Sequence, residues 1–367
     1  MKGKTVIIVI GSFKIGGAEK MAINVGTFLL QNGYDVHFAL LRPIFELHHT
    51  IPAERIYVLN RSVKLHKYLR FIRVIVSLFM LRLRKGADVV IGFTYFSSFV
   101  SCFALARNTI ARLDTNPYRL APKRRRVADF VLAWPLVKRV VIPSQGLYES
   151  VASAKSRYKS KLLVIPNSFE IASIVEHSKG AIPEKFPLNE KRYISAMGRI
   201  TFQKKYELLI LAYSKSKIKD LFNLVIIGDG NVLNDLIKLT KRLNLEDRIF
   251  FTGMLTNPFP VIARSQFFIN TSAVESFCNV ILEALVLDVP VIATNCDFGP
   301  SEIIQNGSNG YLIAVNSEEA IIEILDKVNE DPNLIASVKK NASISIKRFS
   351  LDNVGSQWIK TIHELSE

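Results

Sequence analysis

Two carboxylates eight positions apart, Glu275 and Glu283, stand in the stretch Thr271 to Leu285, which reads Thr-Ser-Ala-Val-Glu-Ser-Phe-Cys-Asn-Val-Ile-Leu-Glu-Ala-Leu. A carboxylate accepts two hydrogen bonds and so suits a vicinal diol. A short apolar strand precedes the stretch, and the pattern after it predicts a helix from Phe277 or Cys278. Glu275 then lies in the loop before the positive helix end and Glu283 about two turns in, so the two acids address different parts of one ligand. The plain alternative is a capped amphipathic helix with two solvated acids. Two cations join them: after the strand Tyr193 to Met197 come Gly198-Arg199 and then Lys204. Arg199 brings a planar fork and Lys204 a mobile point charge, both suited to phosphate oxygens, although surface charges after a strand would read the same way.

The elements that must hold these residues are legible as an alternation. Strands are predicted at Tyr193 to Met197, Asn223 to Ile227, Ile249 to Phe251, Phe267 to Asn270, Pro290 to Ala293 and Gly310 to Ile313, with helical patterns between, which makes a doubly wound parallel sheet. Ligands of such sheets bind beyond the carboxyl ends of the strands, so Gly198-Arg199 with Lys204, Gly228, Gly253-Met254-Leu255, the Glu275 loop and Gly299-Pro300-Ser301-Glu302 should share one rim. Cations at its middle and carboxylates at its sides fit a diphosphate flanked by hydroxyl-bearing rings, the parts of a nucleotide sugar.

The first half repeats the theme. Thr5 to Ile10 is a β-branched run of the kind buried in parallel sheets. Gly16-Gly17-Ala-Glu19, an amphipathic helix to about Asn32 and the strand Asp35 to Leu41 complete a βαβ unit whose Gly-rich turn suits a phosphate or serves as a plain turn. Its spacing is not G-x-G-x-x-G, which disfavours a nicotinamide cofactor. Further strands are read at Val89 to Phe93, Thr109 to Leu113, Val140 to Pro143 and Leu162 to Ile165, with a helix from about Ser97 and a terminal helix around Trp358. Val89 to Ala106 carries no charge, yet its Gly and Ser residues argue against a membrane span. The short apolar run at the N-terminus is read as a strand, not a signal peptide.

A chain of 367 residues implies two domains, and its net charge of +16 is unevenly shared. Residues 1–170 hold 27 basic and 9 acidic side chains; the rest holds 21 and 23. The first half therefore expects an anionic partner. Leu65, Leu69, Ile72, Val76, Phe79 and Leu83 recur at helical spacing beside Lys64, Lys67, Arg70 and Arg73, as in a helix lying on an anionic bilayer; a core-facing helix with a solvated basic face is the alternative. Lys123, Arg124, Arg125 and Arg126 precede Phe130 and Trp134, which again suits a membrane interface, though a solvated loop is the commoner explanation of such a cluster. Cys102, Cys278 and Cys296 show no metal-ligand spacing, and their sparse, odd number suits a reducing cytosol.

Taken in order, Gly16-Gly17-Ala-Glu19, Ile165-Pro-Asn167, Gly198-Arg199 with Lys204, Gly253, Glu275-x7-Glu283, and Gly299-Pro-Ser-Glu302 with Asn306-Gly307 and Gly310 resemble the retaining GT-B glycosyltransferases of group 1, family four. The resemblance implies two Rossmann-like domains facing a central cleft: an acceptor-binding, membrane-facing domain at 1–168, a nucleotide-sugar domain at 169–348, and a last helix, 349–367, returning to the first. It implies that Arg199 and Lys204 hold the donor diphosphate, that Glu283 holds the ribose and Glu275 the transferred sugar, and that Gly17 approaches the phosphates. Phe277, Cys278, Asn279 and Val280 would line the donor. The acceptor hydroxyl would attack on the face the nucleotide leaves, with a donor phosphate oxygen helping to take its proton. No D-x-D motif is present, so no metal and no cofactor is expected. Cys278 stands where the family often has Gly or Pro, and Asp114-Thr115-Asn116 where it often has a His, which makes Asp114 and Asn116 the acceptor-side candidates.

The wording around Phe277 and Gly299 resembles bacterial surface-polysaccharide enzymes that move a hexose or N-acetylhexosamine from a UDP-sugar to a glycan on undecaprenyl diphosphate. Such an enzyme would be cytoplasmic and peripheral on the inner membrane face. Two other readings stay open: a UDP-N-acetylglucosamine 2-epimerase of the same architecture, and a non-enzymatic protein that binds anionic membranes or nucleic acid.

Overall fold

The structure is a computed structural model that describes residues 3–47, 49–60, 66–119, 122–183, 192–331 and 333–365. The chain divides into two compact units, Met1–Phe169 with Phe349–Glu367, and Glu170–Arg348.

In the first unit, β1 (Thr5–Ile10), β2 (Asp35–Leu40), β3 (Ile56–Val58), β4 (Val89–Gly92), β5 (Asn108–Arg112), β6 (Val137–Ile142) and β7 (Leu162–Val164) form one parallel sheet in the order β3-β2-β1-β4-β5-β6-β7. Side chains alternate across a strand. Val6, Ile8 and Ile10 therefore enter one apolar core while Ile7 and Val9 enter the other. The first core is closed by the helix Gly17–Gln31 and by Val354, Trp358 and Ile362 of the helix Leu351–Glu364. Gly355 permits that docking, because a Cβ there would lie 2.4 Å from the Phe28 ring. The second core is closed by Val74, Leu78 and Leu81 of the helix Lys67–Lys85 and by Val100 of the helix Tyr95–Cys102. Leu351 N–H donates to the Phe169 carbonyl at 3.0 Å and Phe169 N–H to the Phe349 carbonyl at 3.1 Å, beside a bridge from Phe169 to Ser350, so the segment leaving this unit and the one re-entering it run side by side.

The second unit carries β8 (Tyr193–Met197), β9 (Asn223–Ile227), β10 (Ile249–Gly253), β11 (Phe268–Asn270), β12 (Val291–Thr294) and β13 (Gly310–Ile313), all parallel, in the order β10-β9-β8-β11-β12-β13. Strand order reverses between β8 and β11. Ligands of open parallel sheets bind at such a switch point, beyond the carboxyl ends of the two strands.

Three of the differences from the sequence reading have a plain physical reason. β3 has three half-buried residues and too short a pattern to register. β6 starts at Val137, since Lys138 and Arg139 occupy its half-buried positions and mask the apolar run. The uncharged run Val89 to Ala106 splits into β4 and the helix Tyr95–Cys102, which starts earlier than expected because Thr94 caps it by accepting from Ser97 N–H. Among the described residues no helix is long and apolar enough to cross a membrane.

Candidate active site

The turns after β8 and β11 meet at the switch point of the second unit. Thr271 Oγ1 donates to the Lys204 carbonyl at 2.9 Å, and Ala273 N–H donates to the Gln203 carbonyl at 2.8 Å. This stitching brings together residues 71 apart in sequence: Lys204 Nζ donates to Glu275 Oε1 at 2.6 Å, and Ser272 Oγ donates to the same oxygen at 2.7 Å. Glu275 Oε2 accepts no hydrogen bond among the described residues. One carboxylate oxygen is thus fixed by two donors and the other is left for a ligand. Burial works against the charge of Lys204, but Glu275, with the fields of Cys278 and Tyr206, more than offsets it and holds the ammonium protonated well above the usual lysine range.

The helix of the opening stretch runs from Asn279 to Val286, so Glu275 lies in the loop before it, as the spacing predicts. Cys278 is its N-cap at φ 59°, a left-handed conformation that glycine adopts without strain and a cysteine does not. Burial, then the Glu275 charge, push the Cys278 thiol far up, and Cys296 is pushed up to about 12 by the same two causes, so neither is a thiolate nucleophile at neutral pH. Glu283 is the fifth helical residue, little more than one turn in, and is 3% exposed. Phe277 is buried, and Asn279 and Val280 are half-buried. The turn after β12 backs the loop: Glu275 N–H donates to the Asp297 carbonyl, and a Cβ on Gly299 would lie 2.7 Å from the Phe277 backbone.

Glycines let the strand ends of β8, β9 and β10 close up. Gly228 N–H donates to the Gly253 carbonyl at 3.0 Å, and a Cβ on Gly228 would lie 2.1 Å from the Gly198 carbonyl oxygen. Arg199 and Met254 are exposed on this rim and Leu255 is half-buried. Lys204 and Glu275 are thus in contact with each other, whereas Arg199 makes no ion pair among the described residues.

In the first unit, Gly16 is the N-cap of the helix that Gly17 opens. The Glu19 carboxylate folds back so closely that a Cβ on Gly16 would lie 2.3 Å from it, and Ile15 N–H donates to Glu46 Oε2 at 3.2 Å. Of the acceptor-side candidates, Asn116 donates through its amide to Ser150 Oγ at 2.8 Å and accepts from Tyr118 N–H at 2.9 Å. Asp114 instead receives Nε of the fully buried Arg112 at 2.6 Å.

The helix Lys67–Lys85 has two apolar faces. One enters the core; on the other Tyr68, Leu69, Ile72, Val76, Met80 and Leu83 are each half or more exposed, with Arg73 exposed and Arg70 half-exposed beside them. Phe79 of the expected stripe is half-buried and Met80 takes its place. Lys64 and Leu65 lie outside the described residues, and Lys67 is the first residue of the helix. Lys123, Arg124, Arg125 and Arg126 are all exposed on the helix Pro122–Ala133, with Arg124 over the Tyr95 ring at 5.7 Å and Arg125 over Tyr118 at 5.4 Å.

Three residues of these clusters were not singled out from the sequence. Ser272 could have been, since Ser272-x-x-Glu275 has capping-box spacing. Arg112 is signalled only by a lone cation closing an apolar strand, and Tyr206 by nothing but its place two residues after Lys204.

Two doubly wound parallel sheets define an α/β protein of the GT-B class. Among solved structures, Anabaena Alr3699/HepE in complex with UDP-glucose matches with a TM-score of 0.84 at 20% identity, over 98% of this chain and 99% of that one. Residues 178–344 match the family model of the glycosyl transferases group 1. Over nearly its whole length the chain is similar to N-acetylgalactosamine-N,N'-diacetylbacillosaminyl-diphospho-undecaprenol 4-alpha-N-acetylgalactosaminyltransferase of Campylobacter jejuni, 26% identical over 370 residues that cover 96% of this chain and 98% of the relative. The alpha-1,4-N-acetyl-D-galactosaminyltransferase of the same organism that acts on GalNAc-alpha-(1->4)-GalNAc-alpha-(1->3)-diNAcBac-PP-undecaprenol is 20% identical over 97% of this chain. The match to the group 1 glycosyl transferases thus lies within residues 178–344, and the two undecaprenol-linked relatives extend the similarity over nearly the whole chain.

Proposed function

We propose that the protein moves a hexose or N-acetylhexosamine from a UDP-sugar to a glycan carried on undecaprenyl diphosphate, with retention at the anomeric carbon and without a divalent ion or other cofactor. The observation that carries this reading is the Lys204–Glu275 pair at the switch point of the second unit, a cation for the diphosphate beside a carboxylate for sugar hydroxyls. An ammonium has three N–H groups, so Lys204 can keep Glu275 and still donate to a phosphate oxygen. Glu275 Oε2 then accepts from the transferred sugar. As the acceptor hydroxyl attacks the anomeric carbon, its proton passes to an oxygen of the departing diphosphate, and the electron pair of the breaking bond stays on that diphosphate, where Lys204 and Arg199 stabilise it. Glu283 is reserved for the ribose, and Gly228, Gly253, Met254 and Leu255 complete the donor set of the second unit. The names of the two Campylobacter relatives support an undecaprenol-linked acceptor and an alpha linkage, and the HepE complex supports a UDP-sugar.

The direct test is a panel of nucleotide sugars screened for protection against thermal unfolding, since a bound donor raises apparent stability by mass action. Protection by UDP-sugars, followed by transfer to a lipid-linked glycan that survives chelation, is the expected result. Protection only by nucleotide sugars of another base would reject UDP. Epimerised sugar and free UDP made without any acceptor would establish the epimerase reading.

The same proposal places the enzyme peripherally on the inner membrane face through the helix Lys67–Lys85, with Lys123 to Arg126 beside an acidic surface. Its exposed apolar stripe carries cations and no acid between Lys67 and Lys85. A basic residue near such a surface contributes about 1 kcal/mol, so Arg70→Gln with Arg73→Gln should weaken binding to phosphatidylglycerol vesicles roughly thirtyfold at low salt. Unchanged vesicle binding, measured by sedimentation, would remove this part of the proposal; tighter binding to oligonucleotides than to vesicles would favour a nucleic-acid partner.

A further inference from the structure

Tyr206 opens the helix Tyr206–Lys215, and Lys205 before it adopts φ 53°. This left-handed residue folds the chain so that Lys204 and Tyr206 return to one point: a Cβ built on Gly198 would lie 3.1 Å from Lys204 Nζ and 3.1 Å from the Tyr206 hydroxyl. The Tyr206 ring is part of the second unit's core and only 3% exposed. Its hydroxyl nevertheless makes no hydrogen bond among the described residues. The other fully buried tyrosines of this unit behave differently, for Tyr193 donates to the Val261 carbonyl at 2.7 Å and Tyr213 to the Phe222 carbonyl at 2.7 Å. The hydroxyl is not among the fully enclosed polar atoms that lack a partner, so the little surface Tyr206 keeps reaches it, and an unpartnered donor at the edge of a core is placed to meet a ligand.

We infer that Tyr206 is a further catalytic residue, whose hydroxyl donates a hydrogen bond beside Lys204 to the diphosphate of the donor as the bond to the anomeric carbon breaks. The inference rests on the UDP-sugar reading above. The neighbouring Lys204 charge selects an anion at this point, and Gly198, having no Cβ, lets it approach both donors. In the step, the bond between the anomeric carbon and the β-phosphate oxygen breaks, the electron pair stays on that oxygen, and the phenol strengthens its hydrogen bond without giving up its proton. Burial pushes the phenol above its ordinary range, so the proton is held at neutral pH.

Tyr206→Phe keeps the ring and removes the hydroxyl. Because that hydroxyl has no partner in the free protein, the variant should melt at or above the wild-type temperature. Its kcat should fall about 10- to 100-fold, as for loss of a single transition-state donor, with KM for the donor within about threefold. Protection by UDP should shrink, since UDP carries the charge of the departed diphosphate, while protection by uridine stays as in wild type. Unchanged kcat and UDP protection, or a lowered melting temperature with unchanged kcat, would overturn the inference and make the hydroxyl structural. Wild-type protein that UDP does not protect would overturn the donor reading itself, and this inference with it.

Discussion

Lys204→Ala and Glu275→Ala each lower transfer roughly 1,000-fold or more, because each removes a group that meets the donor where charge develops or where its sugar is held. The two variants also share a stability cost. With side chains 17% and 15% exposed, the pair is mostly withdrawn from solvent, and deleting either partner leaves the other charge uncompensated. Breaking a buried pair costs about 3–5 kcal/mol, and the solvent contact that remains here reduces the expectation to roughly 2–3 kcal/mol. Stability and chemistry separate in the double variant. Removing both charges should restore much of the lost stability, because the single variants count the same orphaned partner, while transfer stays abolished. Denaturant midpoints and kcat for the two singles and the double, set side by side, decide the matter. Full transfer by either single variant would reject the donor-site assignment.

The alternation of buried β-branched runs with helical patterns made both parallel sheets readable, because a strand covered on two faces admits almost nothing else. What escaped was whatever a neighbouring strand decides. Lys138 and Arg139 sit in β6 on half-buried positions, which a linear pattern reads as a break. The two acids of the opening stretch looked alike in sequence, yet Glu275 falls in the loop and Glu283 faces the interior, since the helix Asn279–Val286 is apolar on nearly every side and offers no polar face by which to orient it. The partnership of Lys204 with Glu275 depends on β8 lying next to β11, and that adjacency is a property of the sheet order rather than of either segment. In the helix Lys67–Lys85 the period was clear, but two apolar faces share it, and only packing shows that Val74, Leu78 and Leu81 are the buried set.

Arg112→Ala is expected to unfold the first unit about 3–5 kcal/mol more easily, the cost of breaking a buried charge pair. Arg112 closes β5 with no exposed surface at all. Its Nε donates to Asp114 Oδ1 at 2.6 Å, its Nη2 donates to Asn167 Oδ1, and its guanidinium lies 5.5 Å from the centre of the Phe93 ring, which stacks on Trp358. The side chain therefore ties the end of β5 to the segment by which the chain leaves this unit and to the helix by which it returns. Alanine leaves a cavity and strands the Asp114 carboxylate. Methionine refills most of the volume but offers no donor, so Arg112→Met should recover only the packing part. Arg112→Lys keeps the charge but cannot fork between Asp114 and Asn167. The readout is local, because both of the chain's tryptophans, Trp134 and Trp358, belong to this unit, so tryptophan fluorescence during urea unfolding follows it alone. Binding of UDP to the second unit should be unaffected. A midpoint shift equivalent to less than about 0.5 kcal/mol, the scale of an ordinary surface substitution, would show that the Arg112 fork contributes nothing to holding β5 in place.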